Sequence, residues 1–416
     1  MSIPKFQLQC QVCQAIEANP RASACGLCGG NLLVTYLPVD SPLALVDPNQ
    51  RGMWRYHALL PVIQPQNAVT LGEGNTPLVR SHHIAQQLGL KALYFKLEGS
   101  NPTGSYKDRI AAIGMTRMKE LGVTGWAATS SGNAGAALAA YGARAGIAGM
   151  LFTLETAPRA KLTQILAHGP RVVAVQGLGR DPAIERGTFA AVRQLCEQKG
   201  WLMQITAHRF SPIGMEGAKT IAYEIAEALG AAPSAVYVPT GGGGLLSAIA
   251  RGFGDWVQHG QIGQMPRMVC VQSLGCDPIT QAWQGGHEVR PIPSCNARIS
   301  GIQLTAPPDG DLALKFVRNS QGWAVSVPDA ETYAAQKMLA QHEGIFVEPA
   351  AAIGLAAVMR DLRDGKLDPA APIVCICTGS GFKDTAAAQA LSEGIEIPLI
   401  KVEEIKCEGL SVKDKG

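Results

Sequence analysis

The most informative stretch of this chain is Asn101-Pro102-Thr103-Gly104-Ser105-Tyr106-Lys107-Asp108-Arg109, which places a lysine between a predicted strand and a predicted helix. The apolar run Leu93 to Leu97 predicts a buried strand, and apolar residues at helical spacing from Ile110 to Leu121 predict a helix. The helix macrodipole disfavours a cation at a helix N-terminus. That cost disappears if the amine is consumed in a Schiff base, and free backbone N–H groups can then hold an anion. A solvent-facing lysine is the ordinary alternative for this residue taken alone.

A second strand-to-helix junction follows the apolar stretch Trp126 to Ala128. Three hydroxyl side chains, a glycine and an amide crowd this loop, and an alanine-rich helix is predicted directly after it. Such a loop suits a carboxylate or a phosphate, because a helix N-terminus presents unsatisfied N–H groups. A plain N-cap with a spare hydroxyl is the simpler interpretation of this loop on its own. The residues concerned are Thr129, Ser130, Ser131, Gly132 and Asn133.

Two further loops follow predicted strands, and both contain glycine. Gly241 to Gly244 come after the strand Ala235 to Pro239, where consecutive glycines would let backbone N–H groups wrap a phosphate. Flexible linkers also contain glycine runs, but they do not usually separate a buried strand from a helix. Thr378 and its glycines follow the strand Ile373 to Cys377. Four such junctions in one chain of alternating strands and helices indicate a ligand site.

These motifs together resemble those of the fold type II pyridoxal-phosphate enzymes, the tryptophan-synthase-β family. The resemblance runs from about Leu71 to Asp384, and its motifs are specific in combination. Within the family they are most similar to the motifs of threonine synthases. The matching segments are GEGNTPL at 72–78, KLEGSNPTGSYKDR at 96–109, EGAKT at 216–220, EPA at 348–350 and TGSGFKD at 378–384.

The resemblance implies a role for each loop. Lys107 would carry pyridoxal phosphate as a Schiff base and serve as the general base. Asn133 would bond the 3-hydroxyl of the cofactor, the glycine run would hold its phosphate, and Thr378 would face its pyridine nitrogen. The implied cofactor ligands are therefore Lys107, Asn133, Gly241, Gly242, Gly243, Gly244 and Thr378. The implied substrate ligands are Thr129, Ser130, Ser131 and Asn133, with Lys161 as the best candidate cation for a substrate phosphate.

The same resemblance predicts a carbon–oxygen lyase that converts O-phospho-L-homoserine and water to L-threonine and phosphate. Two departures leave other reactions open. Residues 211–214 read Ser-Pro-Ile-Gly, where threonine synthases usually have Asn-Pro and a nearby arginine associated with the substrate phosphate. The glycine run followed by Leu245 is closer to that of threonine and serine dehydratases. A dehydratase-type ammonia-lyase and a cysteine- or cysteate-forming sulfur β-replacement enzyme are the alternatives.

Two C-x-x-C pairs stand near the start of the chain, at Cys10 and Cys13 and at Cys25 and Cys28. Each pair lets two thiolates face one ion, and the glycines after the second pair permit a tight turn. The spacing predicts a closed structural site for zinc, or for iron in the same sulfur environment. Redox-active thiols are the other interpretation.

The composition indicates a metabolic enzyme. The 416 residues are 47% hydrophobic, which is enough for two α/β domains, and a net charge of +3 argues against nucleic-acid and membrane partners. No apolar run approaches the roughly 20 residues of a membrane helix, and residues 1–8 lack a signal-peptide core. The cysteines outside the two pairs are irregularly spaced and predict reduced thiols. We expect a cytoplasmic homodimer that acts on a small amino-acid substrate.

Alternating strands and helices from Leu71 onward predict an α/β fold, with parallel sheets covered by helices on both faces. The resemblance implies the two αβα domains of the fold type II enzymes, with the cofactor between them. The predicted division is a zinc-ribbon-like segment at 1–36, an arm and the start of the large domain at 37–94, a small domain at 95–210, the large domain at 211–400 and a charged tail at 401–416.

Overall fold

The computed structural model describes residues 6–37, 45–179 and 181–402, so the predicted tail lies outside the described residues beyond Val402. The described strands form three sheets. The strands are β1 (Phe6–Cys10), β2 (Ile16–Glu17), β3 (Leu32–Tyr36), β4 (Leu78–Arg80), β5 (Leu93–Leu97), β6 (Gly125–Thr129), β7 (Ala148–Leu154), β8 (Arg171–Val175), β9 (Leu202–Met203), β10 (Ala235–Pro239), β11 (Arg267–Ser273), β12 (Trp323–Val327) and β13 (Ile373–Cys377).

Helices connect most of these strands. None of the described helices is long and apolar enough to span a membrane. The helices are α1 (His83–Gln87), α2 (Lys107–Glu120), α3 (Asn133–Ala145), α4 (Arg159–Ala167), α5 (Pro182–Lys199), α6 (Pro212–Met215), α7 (Thr220–Leu229), α8 (Gly244–Gln258), α9 (Pro278–Gly285), α10 (Gly310–Asn319), α11 (Asp329–Glu343), α12 (Pro349–Arg363) and α13 (Thr385–Ala390).

The largest sheet has the strand order β12-β11-β10-β13-β5-β4. Neighbouring strands of this sheet are parallel, except that β4 runs antiparallel to β5. The carboxyl ends of β5, β10 and β13 therefore meet at one edge, where ligands bind in open α/β sheets. The three loops that leave this edge carry the lysine motif, the glycine run and Thr378. The fold class predicted from the sequence is confirmed.

The second sheet has the order β8-β7-β6-β9 and is parallel throughout. All four strands lie within residues 95–210, the predicted small domain, whereas β5 belongs to the larger sheet and crosses the predicted boundary at residue 95. The division into domains stays a prediction. The loop after β6 leads into α3 and carries the hydroxyl-rich segment that the sequence singles out.

The third sheet is antiparallel and forms the N-terminal ribbon, residues 6–36, in the order β2-β1-β3. Its side chains Phe6, Leu8 and Leu32 are buried in one hydrophobic cluster with residues of the second sheet and its helices. Arg251 of α8 donates a hydrogen bond of 2.8 Å to the carbonyl oxygen of Val34. The ribbon is therefore docked on the body of the molecule.

Helix α2 begins at Lys107, earlier than the start at Ile110 that apolar spacing predicts. The Asp108 carboxylate accepts hydrogen bonds from both the N–H and the hydroxyl of Thr103, at 3.0 and 2.7 Å. The N–H of Arg109 closes the first turn on the carbonyl oxygen of Tyr106. These polar contacts extend the helix into a segment without an apolar pattern, and they place the lysine at its first residue.

A buried ion network fixes the two ends of the lysine motif. The fully buried Arg109 guanidinium donates to Glu98 at 2.8 Å and to Glu224 of α7 at 2.6 Å. The Lys96 ammonium, on β5, donates to the same Glu224 at 2.6 Å and to the carbonyl oxygen of Thr76 at 2.6 Å. Removing one member would leave a buried charge without its partner, which is strongly destabilising. The network joins β5, α2 and α7 and so holds the lysine loop in place.

The cysteines outside the ribbon include one pair that departs from the prediction of reduced thiols. Cys276 and Cys295 form a disulfide, with their Cα atoms 4.7 Å apart. That expectation is wrong for this pair, because the chain doubles back between them and brings the N–H of Asn296 to the carbonyl oxygen of Gly275. Irregular spacing in the sequence gave no sign of this long-range contact. Cys196, Cys270, Cys375 and Cys377 are free, as predicted.

Candidate active site

Lys107 lies half-buried at the carboxyl edge of the large sheet. Its Nζ donates to the Thr206 hydroxyl at 2.5 Å and lies 4.7 Å from the centre of the Tyr106 ring. The N–H of Tyr106 donates to the carbonyl oxygen of Thr378 at 3.1 Å, which pins the lysine loop to the neighbouring loop. The amine is therefore positioned by one hydroxyl acceptor and is not locked in an ion pair with a described residue.

Glu348 connects two of the other predicted residues. Its carboxylate accepts from the Asn133 amide, with 3.1 Å to each oxygen, and from the Thr378 hydroxyl at 3.5 Å. Burial raises the pKa of Glu348, although the Asn133 hydrogen bond and the nearby Lys383 ammonium act in the opposite direction. Glu348 thus links Asn133, the first residue of α3, with Thr378, which follows β13 of the large sheet. Thr378 also accepts the N–H of Tyr106, so it lies beside the loop that carries Lys107.

The glycine run begins where β10 ends and leads into α8. Among the described residues, none of the four glycines uses its N–H in a hydrogen bond, so these groups are free at the start of a long helix. Gly243 has a φ of +89°, and a Cβ there would lie 2.5 Å from the carbonyl oxygen of Asp309. A side chain at this position would therefore clash with the backbone of Asp309. Free N–H groups at a helix N-terminus form an anion site.

The hydroxyl-rich loop after β6 is half-buried, and one of its hydroxyl groups is hydrogen-bonded within the loop and the helix that follows. The Ser130 hydroxyl accepts from the N–H groups of Gly132 and Gly135, at 3.3 and 3.0 Å. Ser130 therefore caps the first turn of α3, which is the simpler interpretation that the sequence allowed. Thr129 and Ser131 flank it.

Lys161, the candidate cation for a substrate phosphate, lies near the start of α4. Its ammonium donates to the Ser300 hydroxyl at 2.8 Å and to the Asp384 carboxylate at 3.2 Å. Burial raises the pKa of Glu348, and the positive charge of Lys161 is among the groups that oppose this rise. It therefore lies near the other predicted residues, with its charge partly balanced by Asp384.

Sequence reasoning missed the segment that faces Lys107 from the other side. Thr206 contacts the lysine amine, and two residues later the N–H of His208 donates to the Asp309 carboxylate at 2.7 Å. The same carboxylate accepts from the N–H of Arg209 at 3.1 Å, and the N–H of Asp309 reaches the carbonyl oxygen of Gly242 at 2.9 Å. Asp309 thus ties the segment of Thr206 to the glycine run. A Thr-x-His pattern between two elements carries no signal that could have revealed this.

The four ribbon cysteines converge as their spacing predicts. Their sulfur atoms all lie within 4.8 Å of one another, with Sγ–Sγ distances of 3.4 Å for Cys10–Cys28 and 3.6 Å for Cys13–Cys25. Zn–S bonds of about 2.3 Å in a tetrahedron place sulfurs about 3.8 Å apart, so the set suits one such ion. A Cβ on Gly30 would lie 2.8 Å from the Cys10 sulfur, which explains the glycine at this turn.

The arrangement at the sheet edge fits pyridoxal phosphate. Three adjacent loops of the large sheet each supply one group. The first loop has an amine that could bind an aldehyde, the second has free N–H groups that could hold a phosphate, and the third has the Thr378 hydroxyl. Asn133, at the start of the helix that follows β6, could contact the pyridine ring of the cofactor. Schiff-base chemistry requires such a combination of amine, anion site and polar ring contacts.

Comparison with known proteins gives the same answer. Residues 69–379 match the model of the family described as pyridoxal-phosphate dependent enzyme. The threonine synthase of Methanocaldococcus jannaschii is 38% identical over 88% of this chain and 90% of that protein. The threonine synthase of Methanosarcina acetivorans is 35% identical over 91% of this chain and 92% of that protein.

A solved structure shows the same fold at lower sequence identity. The processed form of threonine deaminase isoform 2 from Solanum lycopersicum superposes with a TM-score of 0.66 and 21% identity, over 86% of this chain and 93% of that one. The family match spans all four ligand loops of the candidate site, including Lys107 and Thr378. The chain therefore belongs to the family of pyridoxal-phosphate dependent enzymes, as its motifs predict.

Proposed function

We propose that this protein is a threonine synthase that converts O-phospho-L-homoserine and water to L-threonine and phosphate. The observation that carries the proposal is the similarity to threonine synthases along nearly the whole chain, at 38% identity over 88% of its length. The lysine motif from Lys96 to Arg109 lies within that similarity, and its buried ion network is complete.

In this proposal Lys107 attaches the cofactor and moves the proton at Cα of the substrate. When bound, pyridoxal phosphate withdraws electrons from Cα and so makes the loss of that proton easier. Thr206 holds the lysine Nζ at 2.5 Å, which keeps the amine near one position once it is free. A base that is already positioned loses less entropy on the way to the transition state.

The remaining loops would bind and orient the cofactor and the substrate. Gly241 to Gly244 would hold the phosphate of the cofactor with their free N–H groups, and Thr378 would face its ring nitrogen. Asn133 would give up its contact with Glu348 to bond the 3-hydroxyl of the ring. Thr129, Ser130, Ser131 and Asn133 would bind the substrate carboxylate at the start of α3.

The substrate phosphate requires a cation, because burying an unpaired dianion is very costly. We assign this role to Lys161, which would exchange its contact with Asp384 at 3.2 Å for the phosphate. Gly214 lies in the segment where threonine synthases usually carry an arginine, so this chain would depend on Lys161 more heavily. This departure also keeps a dehydratase-type ammonia-lyase and a sulfur β-replacement enzyme as the second candidates.

A substrate panel separates these reactions. The protein loaded with pyridoxal phosphate is incubated with O-phospho-L-homoserine, L-threonine, L-serine or O-phospho-L-serine with sulfide, and phosphate, threonine, keto acid and cysteine are measured. Our proposal requires phosphate and threonine in equal amounts from the first substrate. Keto acid from serine or threonine, with no phosphate from O-phospho-L-homoserine, would establish the dehydratase instead.

Lys161→Ala tests the phosphate site within the same assay. We expect the variant to raise the KM for O-phospho-L-homoserine by at least about tenfold while its cofactor absorbance stays unchanged, since a lost charged hydrogen bond costs about 1.5–3 kcal/mol. Lys337→Ala, at an exposed position of α11, is the matched control. A wild-type KM in Lys161→Ala would remove Lys161 from the substrate site and leave the reaction itself to the product analysis.

We also propose a zinc ion as the structural ligand of Cys10, Cys13, Cys25 and Cys28, a cytoplasmic location and a homodimeric assembly. The sulfur cluster supports the first of these. Four thiolate ligands would close the site to substrate, so the ion would contribute to folding and not to the reaction.

A further inference from the structure

A cavity of about 680 Å³ lies between α5 and the segments 289–291 and 306–311. This volume is within the range of small-molecule sites. Pro308 lies between the cavity and the glycine run. It lines the cavity and also packs on Gly242, where an added Cβ would lie 3.3 Å from the Cδ of Pro308. It is therefore close to the candidate active site but not part of it, and none of the residues assigned to cofactor or substrate lines it.

Three arginines line the cavity: Arg186 and Arg193 from α5, and Arg209 from the segment after β9. Arg186 and Arg193 are seven residues apart and so project from the same face of the helix, two turns from each other. None of the three forms an ion pair with another described residue. Guanidinium groups match phosphate and carboxylate geometry through paired N–H donors.

The carboxylates at the cavity do not cancel this charge. Asp311 and Glu197 line it as well, and the Asp311 carboxylate accepts the N–H of Val289 at 2.8 Å. The lining therefore has three guanidinium groups against two carboxylates, which leaves one positive charge in excess. An anion would complete the charge balance.

The apolar part of the lining contains aromatic rings. Phe189 of α5 and Phe210 stack with ring centroids 5.7 Å apart and planes inclined by 18°. The prolines at 291, 307 and 308 complete this apolar surface. Flat rings and proline faces favour a flat, apolar ligand body.

We propose that this cavity is a binding site for a small organic anion, a phosphate or carboxylate group carried on an aromatic ring. The arginines of α5 hold the anionic group, and the Phe189–Phe210 pair contacts the ring. The proposal does not depend on which amino acid the enzyme transforms.

Phenyl phosphate is a suitable probe, with phenol and inorganic phosphate as its separated halves. Calorimetry uses the full chain loaded with pyridoxal phosphate, so that the glycine run is already occupied. We expect phenyl phosphate to bind at least about tenfold more tightly than either half, because both parts of the lining then contribute. Equal affinity for inorganic phosphate would overturn the aromatic part of the proposal.

Four variants locate the bound probe. Arg186→Gln and Arg193→Gln, on the exposed face of α5, should each weaken binding about tenfold or more, as expected for a lost charged hydrogen bond. Arg171→Gln, an exposed arginine of β8 outside the cavity, should leave it unchanged. Wild-type affinity in both cavity variants, or loss of binding in Lys161→Ala alone, would place the probe elsewhere and overturn the site.

Discussion

At the scale of single residues, the contact between Lys107 and Thr206 is the least expected feature of the site. The two residues are 99 positions apart in the sequence and belong to loops of different sheets. The lysine motif predicts which amine reacts, but it does not predict what positions that amine. In the structure this positioning comes from a single hydroxyl group.

Thr206→Val removes the acceptor while keeping the shape of the side chain. We expect the apo-protein to form its Schiff base with pyridoxal phosphate about tenfold more slowly, because the amine loses its positioning hydrogen bond. The appearance of the visible absorbance band measures the rate, and Thr206→Ser should restore it. A valine variant as fast as the wild type would show that the hydroxyl does not position the amine.

Gly243 provides a second prediction at this scale. Its φ of +89° and the carbonyl oxygen of Asp309, 2.5 Å from a would-be Cβ, exclude a side chain. Gly243→Ala should lower the free energy of unfolding by at least about 1 kcal/mol and weaken cofactor binding. Gly254, in the interior of α8, has no atom within 4 Å of a would-be Cβ. Gly254→Ala should stabilise the protein by up to about 1 kcal/mol. Similar unfolding curves for the two variants would contradict this account of the glycine run.

At the scale of elements, the ion network of β5, α2 and α7 links the lysine loop to acid stability. Burial alone would raise the pKa of Glu224, but the Arg109 guanidinium and the Lys96 ammonium lower it to about 2. A carboxyl whose pKa is lowered in the folded state contributes stability that is complete above its unfolded pKa of about 4.3. That contribution is lost as the pH falls toward 2.

The corresponding prediction compares two variants across this pH range. The wild type should lose free energy of unfolding steadily between about pH 5 and pH 2. Glu224→Gln should be less stable at pH 7, because Arg109 and Lys96 lose their shared partner. Its free energy of unfolding should also fall less steeply with pH, so the slope of that plot is shallower. Glu393→Gln, at an exposed position, should keep the wild-type slope. An unchanged slope in Glu224→Gln would mean that other carboxyl groups control acid unfolding.

At the scale of the whole molecule, the sequence predicts the strands better than the contacts between them. The bounds of β5, β10 and β13 agree with the prediction, because short apolar runs next to polar, glycine or proline residues leave little choice. Strand β12 was missed, since the polar Ser326 interrupts its apolar pattern and no ligand motif follows it. The roles of Thr206 and Asp309 depend on contacts across about 100 residues, which local patterns do not contain.

The ribbon gives a prediction about how the parts of the molecule depend on one another. Cys13→Ser should reduce the bound metal well below about one ion per chain and expose residues 6–36 to proteolysis, because metal binding supplies much of the folding energy of such segments. The large sheet and its helices should stay folded, since their core lies in hydrophobic clusters that contain no ribbon residue. Cys196→Ala is the control for loss of a thiol outside the cluster. Metal content that is equal in both variants would exclude the four-cysteine site.

Reduction of the cofactor-loaded protein with borohydride, followed by mass analysis of its peptides, identifies the residue that binds the cofactor. A Schiff base becomes a stable secondary amine on reduction, so the cofactor marks the residue that carries it. We predict that the adduct is found on Lys107 alone, and that Lys107→Ala gives no adduct while remaining folded. An adduct on another lysine of the wild type, or an undiminished adduct in Lys107→Ala, would contradict the assignment of this site.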